Sequence, residues 1–551
     1  MKIKIFLFII ILLGAILRFW QIDKYPAGFN ADEASYAYNA YSLISTGKDE
    51  FGHSWPVHLE SFADYKPAGT AYFMLPFVKI FGLDEVAVRF PSLIAGVISI
   101  FLIYLLVQEL FSLHYLSLTS AFFLAISPWH IHFSRGAWET NIGTTFLLLG
   151  IWLFLKGLKN QKLFVPSVLS FALSIYTYHT PRVVIPLLGI FLMVCHRRLI
   201  FKNLRWVVIS GFVGLLVMIP FIFSLRGPAV SARFSGVSLF ADTGPIWEVN
   251  RLRGEHSDMR SFSAKILHNR PQVYLMKISQ NWLSHFDGTF LFITGDRIRR
   301  SNSPEMGEMY LFDVMFILLG IYFFLKLRPK NWPFVFFWLL VAPIASSLTF
   351  QSPNALRAHN MVIPLVIISS YGCHNLILEA KRRLSKILLF TIAKQQALLI
   401  YFLLFTLISW NTAYFLHQYF VHYPKAYPEA WEYGIKDLVD YLKPIKDNYE
   451  KIYVTEQYDQ PYIIFLFYLK YPPEKFQKEA VLTPRDKFGF STVRDFDNFH
   501  FENIDWKNLP DEKNILVCGT DEEIPEDAKI IKTINFLNGE PAFECAEILK
   551  K

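Results

Sequence analysis

Residues 2–34 read KIKIFLFIIILLGAILRFWQIDKYPAGFNADEA and join an apolar segment to two adjacent carboxylates. Ile3–Leu17 is apolar, and Lys2 and Lys4 stand at its front, which favours a cytoplasmic N-terminus. Asp32 and Glu33 then emerge on the opposite side of a membrane. Because acidic side chains are costly to place in lipid, carboxylates held at a membrane face are a functional hypothesis by default.

The composition indicates a polytopic membrane protein rather than a chain of soluble domains. Of the 551 residues, 53% are hydrophobic and 17% are aromatic, and the mean hydropathy is +0.31. The net charge is only +8 and no basic block is interleaved with aromatic residues, which argues against a nucleic-acid groove. The four cysteines show no metal-ligand spacing and are too few for a disulfide scaffold. The N-terminal run lacks a small-x-small cleavage site, so we interpret it as a retained anchor.

Apolar segments long enough to span a bilayer recur along the first 416 residues. A transmembrane helix needs about 20 apolar residues. The sequence predicts about eleven of them, at residues 3–21, 91–111, 116–133, 141–157, 163–179, 183–196, 206–225, 309–326, 332–349, 359–376 and 395–416.

The loops between these segments test the count, because Lys and Arg are enriched on the cytoplasmic side. With eleven spans and a cytoplasmic N-terminus, four basic loops all fall on that side. Their members are Lys156, Lys159 and Lys162; His196, Arg197, Arg198, Lys202 and Arg205; Lys326, Arg328 and Lys330; and Lys381, Arg382, Arg383 and Lys386. The predicted topology is therefore internally consistent.

The same topology places loops 23–90, 134–140, 226–308 and 350–358, and the tail from about residue 417, on the extracytoplasmic face. The first of these loops is expected to form short helices against the membrane surface. We predict a transmembrane domain at 1–416 and a small α/β domain at 417–551. In the tail, Lys451–Val454 and residues 514–517 alternate like strands, and residues 429–442 have helical spacing. Cys518 and Cys545 either pair there or remain free thiols.

The carboxylate pair also has a purely structural interpretation. Asn30 followed by Glu33 is a capping-box pattern, and acidic residues stabilise the first turn of a helix. A helix from Ala31 to about Ser45, closed by Gly47, would explain both acids without any chemistry.

Several outer loops nevertheless bring cations and acids to the same face. A single cation at such a place is more often a snorkelling side chain than a ligand. Here they recur in nearly every outer loop, which favours a shared site. They are Asp64 and Lys66 in the first loop, Arg135 and Glu139 in the second, Asp296, Arg297, Arg299 and Arg300 near the end of the long loop, and Arg357 and His359 at the start of span ten.

Such a set of residues suits group transfer from a lipid-linked phosphate. Arginine and lysine bind phosphate through charge-assisted hydrogen bonds. A carboxylate next to an acceptor hydroxyl can act as a general base, which is typically worth about 10²–10⁴-fold in rate. Cations that neutralise the departing phosphate reduce the need for a general acid.

The chain resembles the family 39-type membrane glycosyltransferases, which include protein O-mannosyltransferases and the transferase that adds aminoarabinose to lipid A. The first-loop motifs that carry the resemblance are Arg18-Phe19, Pro26-x-Gly28, Asp32-Glu33-Ala34, Lys66-Pro67 and Arg89-x-Pro91-Ser92. The segments 292–310 and 355–358 are similar to bacterial and archaeal members. The resemblance covers residues 1 to about 416 and implies the C-type membrane glycosyltransferase fold, mainly α-helical.

By position, the resemblance implies that Asp32 activates the acceptor and that Glu33 shapes the acceptor or sugar site. It implies Lys66 as the lysine that meets the lipid phosphate, with Arg135 and Arg357 as further phosphate ligands. Arg299 and Arg300 are additional candidates, and Asp64, Glu139 and His359 would shape the substrate site. The sequence has Lys-Pro-Ala at 66–68 where these enzymes often have Lys-Pro-Pro.

The predicted function is transfer of a monosaccharide, with inversion, from a polyprenyl-phosphate donor to a hydroxyl of a glycan, lipid or protein. No cofactor is required, and a divalent metal is not excluded. The 226–308 loop is too short for the lectin-like insertion of protein O-mannosyltransferases. The alternatives are a transporter or flippase of lipid-linked sugars, an oligosaccharide-transferring relative, although no Trp-Trp-Asp motif is present, and an inactive scaffold.

Overall fold

The computed structural model describes residues 1–62, 64–227, 236, 238–384, 390–485, 491–509 and 514–548. All eleven segments predicted to span the membrane are helical. Two are interrupted: Pro128 starts a new helix after Ser127, and the helix that begins at Trp332 breaks at Pro343. The helices are Lys2–Phe19, Glu85–Phe111, His114–Ile126, Pro128–Arg135, Glu139–Gly157, Phe164–Thr177, Pro181–Cys195, Leu204–Ser224, Leu311–Leu327, Trp332–Val341, Ile344–Ser347, Val362–Leu384 and Phe390–His417.

Five helices of the described chain have the length and composition needed to cross a membrane. They are Glu85–Phe111, Glu139–Gly157, Leu204–Ser224, Ala355–Leu384 and Gln395–Ala426. Large apolar side chains on two of them, such as Phe212, Phe223, Phe402 and Phe405, are exposed. An exposed apolar surface of this kind fits contact with lipid. The count of eleven spans stays a prediction.

The loops predicted to lie on the extracytoplasmic face carry shorter elements. In the first loop, the helix Ala31–Thr46 is followed by the hairpin β1 (His58–Ser61) and β2 (Asp64–Pro67) and by the helix Gly69–Phe81. The long loop contains the helices Gly244–Gly254, Phe262–Leu267 and Arg270–Ser284. Ala355–Ala358 and Tyr423–Ala426 are further short helices on the predicted extracytoplasmic side, and Arg197–Lys202 is a short helix in a predicted cytoplasmic loop.

The tail folds as a mixed seven-stranded sheet in the order β4-β5-β6-β3-β7-β9-β8. β3 is parallel to β6 and β7, and the other pairs are antiparallel. The strands are β3 (Lys451–Val454), β4 (Val481–Leu482), β5 (Val493–Phe496), β6 (Phe499–Phe501), β7 (Ile515–Gly519), β8 (Ile530–Asn535) and β9 (Pro541–Ile548), and the helices are Ile435–Leu442, Pro461–Leu469 and Pro473–Glu479.

The tail matches most of its predicted elements. Both predicted strands form, as β3 and β7, and a disulfide joins Cys518 to Cys545 across β7 and β9. The continuous helix predicted from residue 429 is wrong, because Glu432 and Gly434 adopt left-handed backbone conformations (φ +47° and +99°) that interrupt it. The helix begins only at Ile435.

The tail packs directly on the first loop. One hydrophobic cluster contains Phe29 and Tyr38 of the first loop together with Phe467 and Phe476 of the tail. The rings of Phe29 and Phe467 lie 4.4 Å apart, and the hydroxyl of Tyr38 donates to the backbone carbonyl of Tyr471 (3.0 Å). The two segments therefore share a core, and the candidate site lies between them.

Candidate active site

Asp32 lies in the first turn of the helix Ala31–Thr46. The side chain of Asn30 caps this helix by accepting from the backbone N–H of Glu33 (3.0 Å), and Gly47 closes it in a left-handed conformation (φ +71°). The predicted helix is thus confirmed. Its N-terminal dipole favours a negative charge at Asp32.

Two cations converge on the carboxylate of Asp32. The Nζ of Lys66 lies 2.5 Å from Oδ1, and a guanidinium nitrogen of Arg300 lies 3.6 Å from Oδ2. Asp32 comes from the first-loop helix Ala31–Thr46, Lys66 from strand β2 and Arg300 from the end of the long loop. Arg300 is more than 230 residues from the other two along the chain. Asp32 keeps 26% of its side chain exposed, so it can meet a substrate.

Lys66 is held by an aromatic pocket. It lies on β2 opposite Leu59, and its ammonium sits 4.1 Å from the centre of the Phe62 ring and 5.5 Å from that of Tyr36. Cation–π contacts stabilise a charged amine in a place with little water. With 8% of its side chain exposed, Lys66 faces Asp32 rather than solvent.

Arg300 is positioned through its backbone. Nε2 of His132 donates to the carbonyl of Arg300 (2.9 Å), and the hydroxyl of Tyr423 donates to the carbonyl of Arg299 (3.0 Å). Trp431 in turn donates to the Tyr423 hydroxyl (2.8 Å). These contacts fix the turn Arg299–Ser301 between the membrane helices and the tail.

The tail supplies two more carboxylates to this arginine. A guanidinium nitrogen of Arg300 lies 3.4 Å from Asp459 and 4.0 Å from Glu432. Burial raises the pKa of Glu432 well above its usual value and raises that of Asp459. Burial alone would lower the pKa of Arg300, but Asp32, Glu432 and Asp459 outweigh it and raise that pKa. Glu432 and Asp459 are not predicted by the sequence, since no local motif marks them.

Glu33 has a different environment from its neighbour. Its carboxylate is buried and accepts two bonds from Arg89, each 3.0 Å, and one from the backbone N–H of Ala137 (2.8 Å). Arg89 also donates to the carbonyls of Ile22 and Gly28. The predicted reciprocal capping bond from Glu33 is therefore wrong, because Arg89 and Ala137 take up its side chain. Glu33 joins the first loop to the second span and to the 134–140 loop.

Arg135 also ties structural elements together. Its guanidinium is fully buried and donates to backbone carbonyls of the last turn of the helix Lys2–Phe19 and of the segment that follows it. The acceptors are Leu17, Arg18, Trp20, Gln21 and Tyr25, at 2.8–3.5 Å. The predicted role of Arg135 in binding phosphate stays a prediction, and its described contacts hold the start of the first loop.

The described contacts of Arg357 and Arg299, the other predicted arginines, are with residues other than Asp32. Arg357 donates to the hydroxyl of Thr349 (2.9 Å) and the carbonyl of Gln351 (3.3 Å). Arg299 pairs with Glu429 (2.6 Å) and is 61% exposed, against 28% for Arg300. Of the two neighbouring arginines, only Arg300 is within ion-pair distance of Asp32.

Three residues were predicted to shape the substrate site. His359 is buried, with Nδ1 3.2 Å from the Thr144 hydroxyl and its ring stacked on that of His130. Glu139 is half-buried at the start of its helix. Asp64 begins β2, and its side chain lies outside what the structure describes.

A buried acidic pair anchors the segment that leads to Arg300. The carboxylate of Glu308 accepts from the backbone N–H of Asp296 (3.1 Å), and Asp296 accepts from the N–H of Ala355 (2.6 Å). Burial raises the pKa of both carboxyl groups, well above its usual value in the case of Glu308. These bonds connect the end of the long loop to the start of span ten.

Comparison with known proteins places this geometry in context. Residues 65–223 match the family model described as dolichyl-phosphate-mannose-protein mannosyltransferase. The fold is similar to that of ArnT from Cupriavidus metallidurans in the apo state, with a TM-score of 0.53 and 11% identity over 99% of this chain and 97% of that chain. The same protein bound to undecaprenyl phosphate gives a TM-score of 0.51 at 9% identity, covering 99% of this chain and 98% of that one. The resemblance to the family 39-type membrane glycosyltransferases is confirmed.

An archaeal oligosaccharyltransferase shares this fold. AglB from Archaeoglobus fulgidus, in complex with an inhibitory peptide and a dolichol-phosphate, gives a TM-score of 0.52 at 15% identity. This chain is covered over 85% of its length and spans 63% of AglB. No curated protein sequence matches the chain.

The match to the family 39-type model has a defined extent. It includes Lys66, Arg89 and Arg135 but begins after Asp32 and ends before Arg300. The grouping of Asp32, Lys66 and Arg300 is therefore an observation on this chain. Among the described residues, no group of three or more His, Cys, Asp or Glu side chains is arranged to hold a metal ion.

A cavity of about 660 Å³ lies beside this site, between the first loop and the tail. Its lining includes Tyr25, Phe29, Glu85, Lys436 and Tyr468. Glu432 lines it too, and among the described residues its Oε2 has no hydrogen-bond partner. Glu432 therefore belongs both to the cavity lining and to the group of carboxylates around Arg300.

Proposed function

We propose that this protein is an integral membrane glycosyltransferase that moves a monosaccharide from a polyprenyl-phosphate donor to an acceptor hydroxyl, with inversion. The proposal is supported by the membrane glycosyltransferase fold and, above all, by the convergence of Lys66 and Arg300 on Asp32. That ArnT was obtained with undecaprenyl phosphate supports the same class of donor lipid.

In the proposed reaction, Asp32 takes the proton of the acceptor hydroxyl. The acceptor oxygen forms a bond to the anomeric carbon on the face opposite the phosphate, and the bond from that carbon to the phosphate oxygen breaks. The electron pair of this bond leaves with the lipid phosphate. Lys66 and Arg300 neutralise the charge that develops there, which is the step that fixed cations accelerate most.

The ion pairs of Asp32 with Lys66 and Arg300 suggest how donor binding would prepare the base. A carboxylate beside two cations is a weak base, because both cations favour its charged form. A lipid phosphate that enters between them competes with Asp32 for Lys66 and Arg300. Asp32 then becomes a stronger base once the donor is bound, and this order limits proton uptake in the absence of a donor.

We place the acceptor in the cavity that ends at Glu432. Aromatic rings together with hydrogen-bonding groups are what sugar-like and other hydroxyl-rich molecules require of a binding site. A carboxyl group with a raised pKa can donate a hydrogen bond as well as accept one. Glu432, which lines the cavity, lies 4.0 Å from Arg300, so an acceptor held there would approach Asp32 from the tail side.

Reconstituted protein tests this function. Purified wild-type protein in liposomes is supplied with a panel of polyprenyl-phosphate monosaccharides and with acceptor extracts, and the products are identified by mass spectrometry. The proposal expects a donor-dependent increase of one monosaccharide on the acceptor. Transport of the lipid-linked sugar across the bilayer without any product would favour the transporter alternative, and transfer only of preassembled oligosaccharides would favour the oligosaccharide-transferring one.

A further inference from the structure

We infer that a basic cavity on the predicted cytoplasmic face binds the headgroup of an anionic phospholipid. The cavity has a volume of about 700 Å³. It lies where the helices Glu85–Phe111, Glu139–Gly157 and Pro181–Cys195 end and where Trp332–Val341 begins. The inference does not depend on the proposed function.

Two basic loops that are far apart in sequence meet at this cavity. His196, Arg197 and Arg198 come from the loop after one helix, and Lys330 comes from a loop more than 130 residues later. Among the described residues, the lining contains no acidic side chain. Three cationic side chains, those of Arg197, Arg198 and Lys330, thus surround one concave site, which is what a phosphate group requires.

These cations differ from the other basic residues predicted on the same face. Lys156 and Lys159 both pair with Glu109 (2.9 and 2.5 Å), and Arg382 and Arg383 both pair with Glu379 (3.1 Å). In the part of the chain that the structure describes, Arg197, Arg198 and Lys330 have no carboxylate within ion-pair distance. Their positive charge is therefore available to a ligand.

The floor of the cavity points to a lipid rather than a free anion. It is formed by Leu110, Leu155, Phe191, Leu192 and Phe334, which are buried or half-buried. A basic rim above an apolar floor complements a phosphate headgroup attached to acyl chains. Inorganic phosphate could use only the rim.

The cavity is built on fixed elements. The side chain of Asn331 donates to the carbonyl of Leu110 (2.8 Å), which holds the turn that carries Lys330. The rings of Phe191 and Phe337 stack at 4.2 Å and join the two helices that flank the cavity. A headgroup bound here would bridge the 196–205 loop and the 326–331 turn.

The test measures binding of fluorescent phosphatidylglycerol and phosphatidylcholine to the purified full-length protein in detergent. The variant R197Q/R198Q/K330Q removes three charges from the cavity. The matched control K381Q/R382Q/R383Q removes three charges on the same predicted face but outside the cavity. We expect the first variant to weaken phosphatidylglycerol binding about tenfold or more and the control to change it less than about twofold.

Four outcomes decide the inference. A lipid site is supported if only the cavity variant loses phosphatidylglycerol binding. In the wild type, unlabelled phosphatidylglycerol should then displace the fluorescent lipid and inorganic phosphate should not. Equal loss in both variants would show unspecific attraction of anionic lipid and would overturn the inference. Displacement by inorganic phosphate at similar concentrations, or equal binding of phosphatidylcholine by the wild type, would overturn it as well. A thermal melt of each variant in the same detergent separates unfolding from loss of binding.

Discussion

The Nζ of Lys66 lies 2.5 Å from Oδ1 of Asp32, although the two residues belong to a β-hairpin and to the start of a helix. This contact joins the predicted base to the predicted phosphate ligand. Arg300 completes the arrangement on the other carboxylate oxygen. The reactivity of Asp32 is therefore tied to what these two cations bind.

Removing either cation should weaken use of the donor. We expect Lys66→Ala and Arg300→Gln each to lower kcat/KM for the lipid-linked donor by about 10²–10³-fold, because each would remove a charge that stabilises the departing phosphate. Steady-state kinetics in proteoliposomes at varied donor concentration measure this. The matched control is Arg299→Gln, since Arg299 is adjacent but pairs with Glu429. A loss in Arg299→Gln as large as that in Arg300→Gln would remove Arg300 from the phosphate role.

Substitutions of Glu33 and Asp32 should differ in their effect on the stability of the protein. Glu33→Gln breaks a buried ion pair with Arg89 and is expected to cost about 3–5 kcal/mol of stability. Asp32→Asn removes a carboxylate that is 26% exposed, although it pairs with the buried Lys66, so it is expected to lower the melting temperature less than Glu33→Gln does. Differential scanning fluorimetry of the two variants in detergent compares them directly. If Glu33→Gln melted like the wild type, the Glu33–Arg89 pair would not be the support assigned to it.

Glu50 should make stability depend on pH. Burial, and then the charge of Asp49, raises the pKa of Glu50 to about 8, so the folded state holds a proton that the unfolded state releases. The stability from this group is complete below the usual glutamate pKa and is lost as the pH rises towards about 8. We expect the melting temperature of the wild type to fall as the pH rises from about 5 to about 8, which is roughly the interval between the unfolded and folded pKa values of Glu50. The melting temperature of Glu50→Gln should fall less over the same range. Parallel curves for the two proteins would contradict the assignment.

The disulfide between Cys518 and Cys545 should stabilise the tail. It closes a separation of 27 residues across β7 and β9. We expect C518A/C545A to lose about 2–4 kcal/mol of stability in the tail sheet. Hydrogen exchange measured by mass spectrometry would report faster exchange in β7 and β9. Cys195→Ser, at an exposed free cysteine, serves as the control and should leave that exchange unchanged.

Much of the fold could be predicted from local sequence patterns. The apolar runs indicated the five described helices that are long and apolar enough to cross a membrane. Asn30 with Gly47 indicated the bounds of the first-loop helix to within one residue. These features depend on residues close together in the chain. The proximity of Lys66 to Asp32 followed from the resemblance, because both belong to its first-loop motifs.

The rest of the site depends on tertiary contacts that no local pattern encodes. Arg299 and Arg300 are adjacent residues of the same type, so the sequence does not distinguish them. The bonds from His132 and Tyr423 to their carbonyls hold the turn in which Arg300 reaches Asp32. Arg135 is predicted from the sequence to bind phosphate. In the structure it is buried and donates to backbone carbonyls, and these contacts could not be predicted from its loop position. Glu432 reaches the site because the tail packs on the first loop across about 400 residues of sequence.

The most direct test of Asp32 as the base separates binding from turnover in one variant. Purified Asp32→Asn and wild-type protein are compared for binding of sugar-free polyprenyl phosphate and for formation of glycosylated product under saturating donor. We expect Asp32→Asn to bind the lipid phosphate at least as tightly as the wild type, because Lys66 and Arg300 no longer pair with a carboxylate. Product formation by the same variant should fall by about 10²–10⁴-fold. Product formed at the wild-type rate by Asp32→Asn would contradict it.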